Sequence, residues 1–153
     1  MHPNEELIHR FYQSFRQRDA EGMVACYHRD VVFSDPVFPE LRGPSAANMW
    51  RMLCQRGKDL EIAYRDVQAD DQQGRAHWDA DYTFSGTGRK VHNQIDATFV
   101  FQDGLIREHR DHFDLHRWMS MALGLKGRLL GWLPPVQNAV RKQAATALRK
   151  FKP

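Results

Sequence analysis

The stretch Arg75-Ala76-His77-Trp78-Asp79-Ala80-Asp81-Tyr82-Thr83-Phe84-Ser85 alternates between apolar or aromatic and polar side chains over its whole length. In an extended chain, successive side chains point to opposite faces, so this alternation places all the apolar groups on one side. The sequence therefore predicts a long β-strand with one face in the core and the other in solvent.

Three further stretches have the same period of two: residues 60–69, 90–102 and 105–114. The turns between the four predicted strands are short and rich in Asp and Gly, which favours antiparallel pairing of sequence neighbours. A meander of four antiparallel strands is thus expected over residues 60–114.

The region before this meander has helical spacing. Asn4 is a plausible N-cap for a long amphipathic first helix that ends near Arg18, and Asp19 can cap a short second one. A short strand is expected at residues 31–33, a loop at 37–42, and a third helix from residue 43 to 57. Helices followed by a meander predict an α+β fold in which a curved antiparallel sheet wraps the N-terminal helices.

Charge divides the chain of 153 residues into two parts. Residues 1–114 carry 14 Lys/Arg and 19 Asp/Glu, a net charge of −5, whereas residues 115–153 carry eight Lys/Arg and no acid. The length is typical of one domain. Cys26 and Cys54 are isolated and no secretory leader pattern is visible, so we expect a cytoplasmic protein without disulfides.

We therefore interpret residues 1–123 as a folded domain and 124–153 as a basic amphipathic extension ending in a helix. The helix can pack on the domain or on a second copy, lie on an anionic membrane, or contact nucleic acid. An alanine-rich stripe and an acidic body favour packing and disfavour nucleic acid, while apolar residues just before the helix keep membrane contact open. The stripe comprises Val136, Ala139, Val140, Ala144, Ala147, Leu148 and Phe151.

The order of these elements resembles a known family. The chain is similar to the SnoaL-like branch of the nuclear transport factor 2-like superfamily. The shared order is a helix, a short helix, the motif Val31-Val32-Phe33-Ser34-Asp35-Pro36-Val37, a helix, the meander, and a last strand with Gly104, Ile106, His109 and Phe113-Asp114. The resemblance covers residues 4–120. It implies a cone-shaped, cystatin-like α+β barrel with one deep apolar pocket, in a superfamily that includes polyketide cyclases, ketosteroid isomerase and epoxide hydrolases. Fold alone does not select among these reactions.

Asp35 is the first candidate catalytic residue. It follows a predicted strand and is surrounded in sequence by Phe33, Val37 and Phe38, so apolar surface would raise the pKa of its carboxyl and make it a usable base. Capping of the turn at Pro36 is an equally good reading of the residues alone. The resemblance favours the base, because Ser34 to Val37 is similar to the segment that holds the catalytic base of ketosteroid isomerase, a worked example of pKa tuning.

The oxyanion-hole donors of ketosteroid isomerase are not matched. The tyrosine position falls on Phe11, with Tyr12 pointing roughly 100° away around the helix, and the second donor position falls on Ala97. We therefore do not expect the isomerase mechanism, since such donors usually supply the largest catalytic effect.

The last strand supplies three more candidate catalytic residues. His109 and Asp111 share one face and can form an oriented proton-transfer pair, while Glu108 and His112 share the other. We favour the face of His109 and Asp111, although a cross-strand ladder of ion pairs would give the same pattern. Asp114 resembles the acid/base aspartate of SnoaL-like cyclases.

Aromatic residues are expected to line the pocket, although most residues of this kind serve only as core. No metal site is expected, because the spacing of His109, His112 and His116 places ligands on one face only in a helix. No nucleotide-binding motif or cofactor signature is present, so no cofactor is predicted. The predicted lining is Phe11, Tyr27, Phe38, Trp50, Trp78, Tyr82 and Phe99.

The sequence thus predicts a homodimeric pocket protein that binds a small apolar or aromatic molecule. Its candidate residues could support the general acid/base chemistry of an isomerase, cyclase or hydratase. The alternative is a non-catalytic ligand-binding or membrane-associated module that uses the same pocket and the basic extension.

Overall fold

The computed structural model describes all residues, 1–153, as six helices and six strands. In chain order these are α1 (Pro3–Arg16), α2 (Ala20–Val24), β1 (Tyr27–Ser34), β2 (Leu41–Arg42), α3 (Pro44–Arg56), β3 (Glu61–Ala69), β4 (Gln73–Phe84), β5 (Arg89–Gln102), β6 (Leu105–His112), α4 (Leu115–Leu123), α5 (Leu125–Leu130) and α6 (Pro134–Lys150).

The strands form one curved, unclosed sheet in the order β2-β1-β6-β5-β4-β3. Strands β3 to β6 form the predicted antiparallel meander, whereas β1 pairs with β6 in parallel. Helix α1 packs against β3 and β4, and α3 packs against β1, with the apolar core between helices and sheet. The predicted α+β architecture is confirmed. The parallel pairing of β1 with β6 was not predicted.

Three local predictions in the N-terminal half are wrong. His2 caps α1 by accepting the backbone N–H of Asn4, whose own side chain is buried and donates to the Asp70 carbonyl. The expected loop at residues 37–42 contains the two-residue strand β2, which pairs with β1. Strand β1 is also longer than residues 31–33, because its pairing on both sides stabilises extended backbone that apolar pattern alone does not mark.

A β-bulge in β6 determines which side chains of the last strand face the core. Val100 pairs with Glu108 and Phe101 with Ile106, so Arg107 has no partner across the ladder. Ile106, His109 and Asp111 consequently all point into the core. Strict alternation would place Ile106 on the face of Glu108, but the extra residue shifts the strand by one position.

The C-terminal region folds back on the domain. The chain after β6 continues as the helices α4 and α5, and α6 lies against α3. Ala144, Ala147, Leu148 and Phe151 pack on the main core, and Val136 and Val140 on a second cluster around α4. Ala139, predicted as part of this stripe, is exposed instead. No helix combines the length and the apolar character needed to cross a membrane.

Gly127 lets α5 pack closely on α4. A Cβ at this position would overlap the carbonyl group of Met119, which belongs to the backbone of α4 and has little freedom to move. We expect Gly127→Ala to lower the free energy of unfolding by at least about 2 kcal/mol, as for other overpacked sites. Lys126→Ala, next to it and exposed, is the control and should change stability by less than about 0.5 kcal/mol. Chemical denaturation measures both, and equal stability of the two variants would contradict this packing.

Candidate active site

A chain of hydrogen bonds crosses the interior between α3, β1, β6 and β4. Trp50 donates its indole N–H to the hydroxyl oxygen of Tyr27 at 2.8 Å, and this hydroxyl lies 2.7 Å from Nδ1 of His109. Nε2 of His109 lies 2.9 Å from Oδ1 of Asp111, and the indole N–H of Trp78 donates to the same oxygen at 3.3 Å. All five side chains are buried.

The donors and acceptors of this chain are all satisfied by one arrangement of protons. Because the Tyr27 oxygen accepts from Trp50, its own hydrogen is free to be donated to Nδ1 of His109. The hydrogen of His109 is then on Nε2 and is donated to Asp111, whose carboxylate also receives Trp78. Hydrogen bonds of this kind make an ionised carboxylate tolerable in an apolar interior. His109 and Asp111 therefore form the oriented pair that the sequence predicted on this face.

Tyr12 lies beside this chain but does not take part in it. Its ring is fully buried and stacks on Tyr64 with centroids 5.2 Å apart. Its hydroxyl oxygen has no hydrogen-bond partner. Burial raises the pKa of Tyr12 well above its ordinary value, and the charge of Asp111 raises it further. Tyr12 follows Phe11 by roughly 100° around α1, and both side chains are fully buried.

Asp35 occupies the turn that follows β1. One oxygen of its carboxylate accepts the backbone N–H groups of Val37 at 2.8 Å and Phe38 at 2.6 Å. Burial raises the pKa of Asp35 to about 7, with a smaller increase from the charge of Asp111, although the two N–H groups act in the opposite direction. The carboxyl is thus a turn cap whose pKa is raised, and its role as a base stays a prediction.

Tyr82 lies close enough to Asp35 for that carboxylate to raise its pKa, after the larger effect of burial. Its hydroxyl oxygen accepts the indole N–H of Trp118 at 2.7 Å. Val37, Tyr82 and Phe113 each pack against both hydrophobic clusters. Asp35 and Tyr82 therefore lie where the two clusters meet, and we call this place the junction site. Unlike the buried chain, both residues are partly exposed.

Asp114 is not part of either arrangement. It is exposed and caps α4 by accepting the backbone N–H of Arg117 at 3.0 Å. The sequence placed it at the end of the last strand, but β6 ends at His112 and the chain turns into α4 before Asp114 can face the interior. The structure therefore pairs His109 with Asp111, places Asp35 within the field of the Asp111 charge, and leaves Asp114 outside both arrangements.

The predicted pocket lining is mostly packed core. Six of the seven residues are buried in the main cluster, and their rings contact one another, as in Phe11 with Tyr27 at 5.4 Å and with Trp50 at 5.6 Å between centroids. Only Tyr82 is partly exposed. The interior that the family resemblance assigned to a deep apolar pocket is thus largely filled by these aromatic side chains.

Two grooves lie outside this core. One, of about 590 Å³, runs over the outer face of the sheet between Gln68, Arg75, Glu108 and Arg110. The other, of about 420 Å³, is bordered by Tyr82, Val91 and Met121 together with polar residues. No group of three or more His, Cys, Asp or Glu side chains is arranged to hold a metal ion. The second groove is bordered by Tyr82 of the junction site and does not include Asp35.

The polar roles of the aromatic residues are not predicted by the sequence pattern. Tyr27, Trp50 and Trp78 were predicted only as pocket wall, yet each supplies a hydrogen bond to the buried chain. A signal was available, since buried Tyr and Trp side chains usually need a partner for their O–H or N–H group. What the sequence could not supply is which acceptor each one meets.

The chain belongs to the SnoaL-like domain family, whose sequence pattern it matches over residues 8–109. This stretch contains β1, the turn of Asp35, α3 and most of the sheet up to His109. Among curated protein sequences, none matches the chain.

Solved structures show the same fold at low sequence identity. A nuclear transport factor 2-like protein of unknown function from Burkholderia pseudomallei has a TM-score of 0.69 and 18% identity, over 79% of this chain and 98% of that one. An LEH-like epoxide hydrolase from M. tuberculosis has a TM-score of 0.66 and 20% identity, over 86% and 96%. A protein with a ketosteroid isomerase-like fold from Catenulispora acidiphila, solved with trimethylamine, has a TM-score of 0.69 and 8% identity, over 80% and 95%.

Two tyrosines offer a matched test of the buried chain. Tyr27→Phe leaves the Trp50 N–H and Nδ1 of His109 without a partner in the core, so it should lower the free energy of unfolding by about 2–4 kcal/mol. Tyr12→Phe removes a hydroxyl that has no partner and should be neutral or stabilising. Urea denaturation compares them, and an equal loss in both variants would contradict the hydrogen-bond assignment.

The raised pKa of Asp35 predicts a pH-dependent stability. The native state favours the protonated carboxyl, so the contribution of Asp35 to stability falls as pH rises from about 4 to about 7 and then levels off. Asp35→Asn retains an oxygen for both N–H groups and does not ionise. Its stability relative to wild type should therefore increase over this range, by at most about 4 kcal/mol at roughly 1.4 kcal/mol for each pH unit. A difference that stays constant from about pH 4 to 8 would contradict it.

Proposed function

We propose that this SnoaL-like protein is a general acid/base enzyme that acts on a small apolar or aromatic molecule, with Asp35 as the group that accepts and returns a proton. The observation that carries the proposal is the carboxyl of Asp35 at the junction site, with a pKa of about 7. A group of this pKa exchanges protons at neutral pH in both directions, which is what general acid/base catalysis requires.

Tyr82 is the proposed partner of Asp35 in the reaction. Since its oxygen already accepts from Trp118, its own hydrogen is available to an oxygen atom of a bound molecule. Its raised pKa keeps the phenol protonated at neutral pH. Tyr82 would thus stabilise the negative charge that develops on a carbonyl oxygen when Asp35 removes a neighbouring C–H proton. Tyr82 would thus take the place of the two oxyanion-hole donors, whose positions are occupied by Phe11 and Ala97.

His109 and Asp111 have a different role in this proposal. Both are almost completely buried and bonded to each other and to Tyr27 and Trp78, so they do not contact a molecule at the junction site. The negative charge of Asp111 instead raises the pKa of Asp35. We therefore treat them as residues that adjust the base rather than as proton donors to the substrate.

The predicted homodimer remains part of the proposal. The outer face of the sheet is the surface on which we expect two copies to meet. It carries the large polar groove and several His–Asp pairs, among them His77 with Asp79 and Asp96. These pairs form an ion-pair ladder on the face opposite to His109 and Asp111, with His77 and Asp79 half-buried.

Exchange of C–H protons tests the catalytic proposal without knowledge of the natural substrate. We use 2-tetralone, a flat ketone with acidic C–H groups, in D₂O and follow deuterium uptake by NMR. The wild type should accelerate exchange over buffer, Asp35→Asn should lose at least about 99% of this acceleration, and Tyr82→Phe about 90–99%. Asp114→Asn, which preserves a helix cap, should match the wild type.

Binding of 2-tetralone to the protein is measured in parallel by saturation-transfer difference NMR. Binding with no exchange above buffer by the wild type would contradict the enzyme and favour the non-catalytic ligand-binding alternative. Equal exchange by wild type and Asp35→Asn would exclude Asp35 as the base.

A further inference from the structure

We propose that α5 and the residues just after it form a docking surface for a bilayer that contains anionic lipid. Six large hydrophobic side chains of the chain are exposed, and four of them lie within residues 125–132. Their exposed fractions are 69% for Leu125, 60% for Leu129, 40% for Leu130 and 61% for Trp132. We call these four residues the Leu/Trp patch. Such clustering differs from the scattered single apolar residues of an ordinary surface.

The patch is held outward by the packing of α5. Gly127, on the other side of this short helix, is buried against the Met119 carbonyl of α4. His116 of α4 contacts the Arg128 carbonyl at 2.8 Å, and Gln137 of α6 donates to the Gly131 carbonyl at 2.8 Å. The apolar side chains therefore project from a backbone fixed at both ends, rather than from a loose connector.

The rest of the fold leaves the patch without a partner. The apolar stripe of α6 is already used, because Ala144, Leu148 and Phe151 pack on the main core. None of the four patch residues belongs to either hydrophobic cluster or packs on one. Packing on the rest of the domain thus accounts for the apolar stripe of α6. It does not account for the exposed apolar side chains of residues 125–132.

The positive charge around the Leu/Trp patch indicates which kind of partner binds there. Lys126 and Arg128 are exposed within it, and residues 115–153 contain eight Lys/Arg and no acidic residue. A second copy would bring the same positive charge against the first, which opposes self-association through this surface. Anionic headgroups attract the basic side chains while the acyl boundary receives Leu and Trp, the combination typical of interfacial helices.

Trp132 is well suited to the boundary between headgroups and acyl chains. Its indole N–H already donates to the Leu129 carbonyl at 3.1 Å, so the polar group has a partner when water is removed. Trp50, Trp78 and Trp118 are all buried, at 1%, 7% and 9% exposure. Trp132 is consequently the only tryptophan of the chain that a lipid can reach.

Binding of the full chain to vesicles tests the proposal. Phosphatidylcholine vesicles with about 30% phosphatidylglycerol are compared with pure phosphatidylcholine in sedimentation assays at low salt. The wild type should bind the anionic vesicles at least tenfold more strongly, and added salt should weaken this binding. Leu129→Ser with Trp132→Ser should reduce the binding at least tenfold, and Lys126→Gln with Arg128→Gln should remove the preference for anionic lipid.

Leu53→Ser is the matched control, since Leu53 is also an exposed leucine, at 37%, but belongs to α3. It should bind vesicles like the wild type. Truncation of the whole extension is a poorer test, because removal of α6 would uncover core residues. Circular dichroism verifies that each variant is folded.

Depth-dependent quenching gives an independent readout. Brominated lipids should quench the Trp132 emission and leave the emission of the Trp132→Phe variant unchanged. Absence of wild-type binding, equal binding by the patch variant, or no quenching would each overturn the proposal. So would sedimentation velocity that shows a dimer without lipid which the patch variant converts to a monomer, since a second copy would then occupy the surface.

Discussion

The carboxylate of Asp111 imposes the main constraint on this structure. It is a charged group inside a core of aromatic rings, where an ionised side chain without partners would cost several kcal/mol or more. His109 and Trp78 supply the hydrogen bonds that make it tolerable, and Tyr27 and Trp50 fix the orientation of the imidazole. Four secondary-structure elements are thereby tied to one polar chain.

This buried charge also governs the junction site. Asp35 experiences both the low polarity of its surroundings and the field of Asp111, which together keep its proton on at neutral pH more often than in water. A proton-accepting group at the edge of the core is therefore connected to a fixed charge inside it without any direct bond. The aromatic residues serve as scaffold for both, which is why they fill the interior rather than enclose an empty cavity.

Much of the fold was predictable because it depends on local rules. The alternation of Ala76 to Phe84 and the Asp-Gly turns determine the meander, and alternation within β6 places His109 and Asp111 on one face. The bulge at Arg107 and the exit of the chain before Asp114 were not predictable, since they depend on the partners of β6 in space. Likewise, the position of Asp35 in the sequence indicates a base, but only the fold reveals that Tyr82 and Asp111 lie near it.

The parallel pairing of β1 with β6 has a consequence for how the protein is made. Ser34 and Arg110 are register partners although 76 positions separate them along the chain. Closing so long a loop is slow compared with forming hairpins or helices. During synthesis, Asp35 leaves the ribosome long before His109 and Asp111. The N-terminal helices and β1 are therefore synthesised before β6, the central strand with which β1 pairs. The site can therefore form only after nearly the whole domain has emerged.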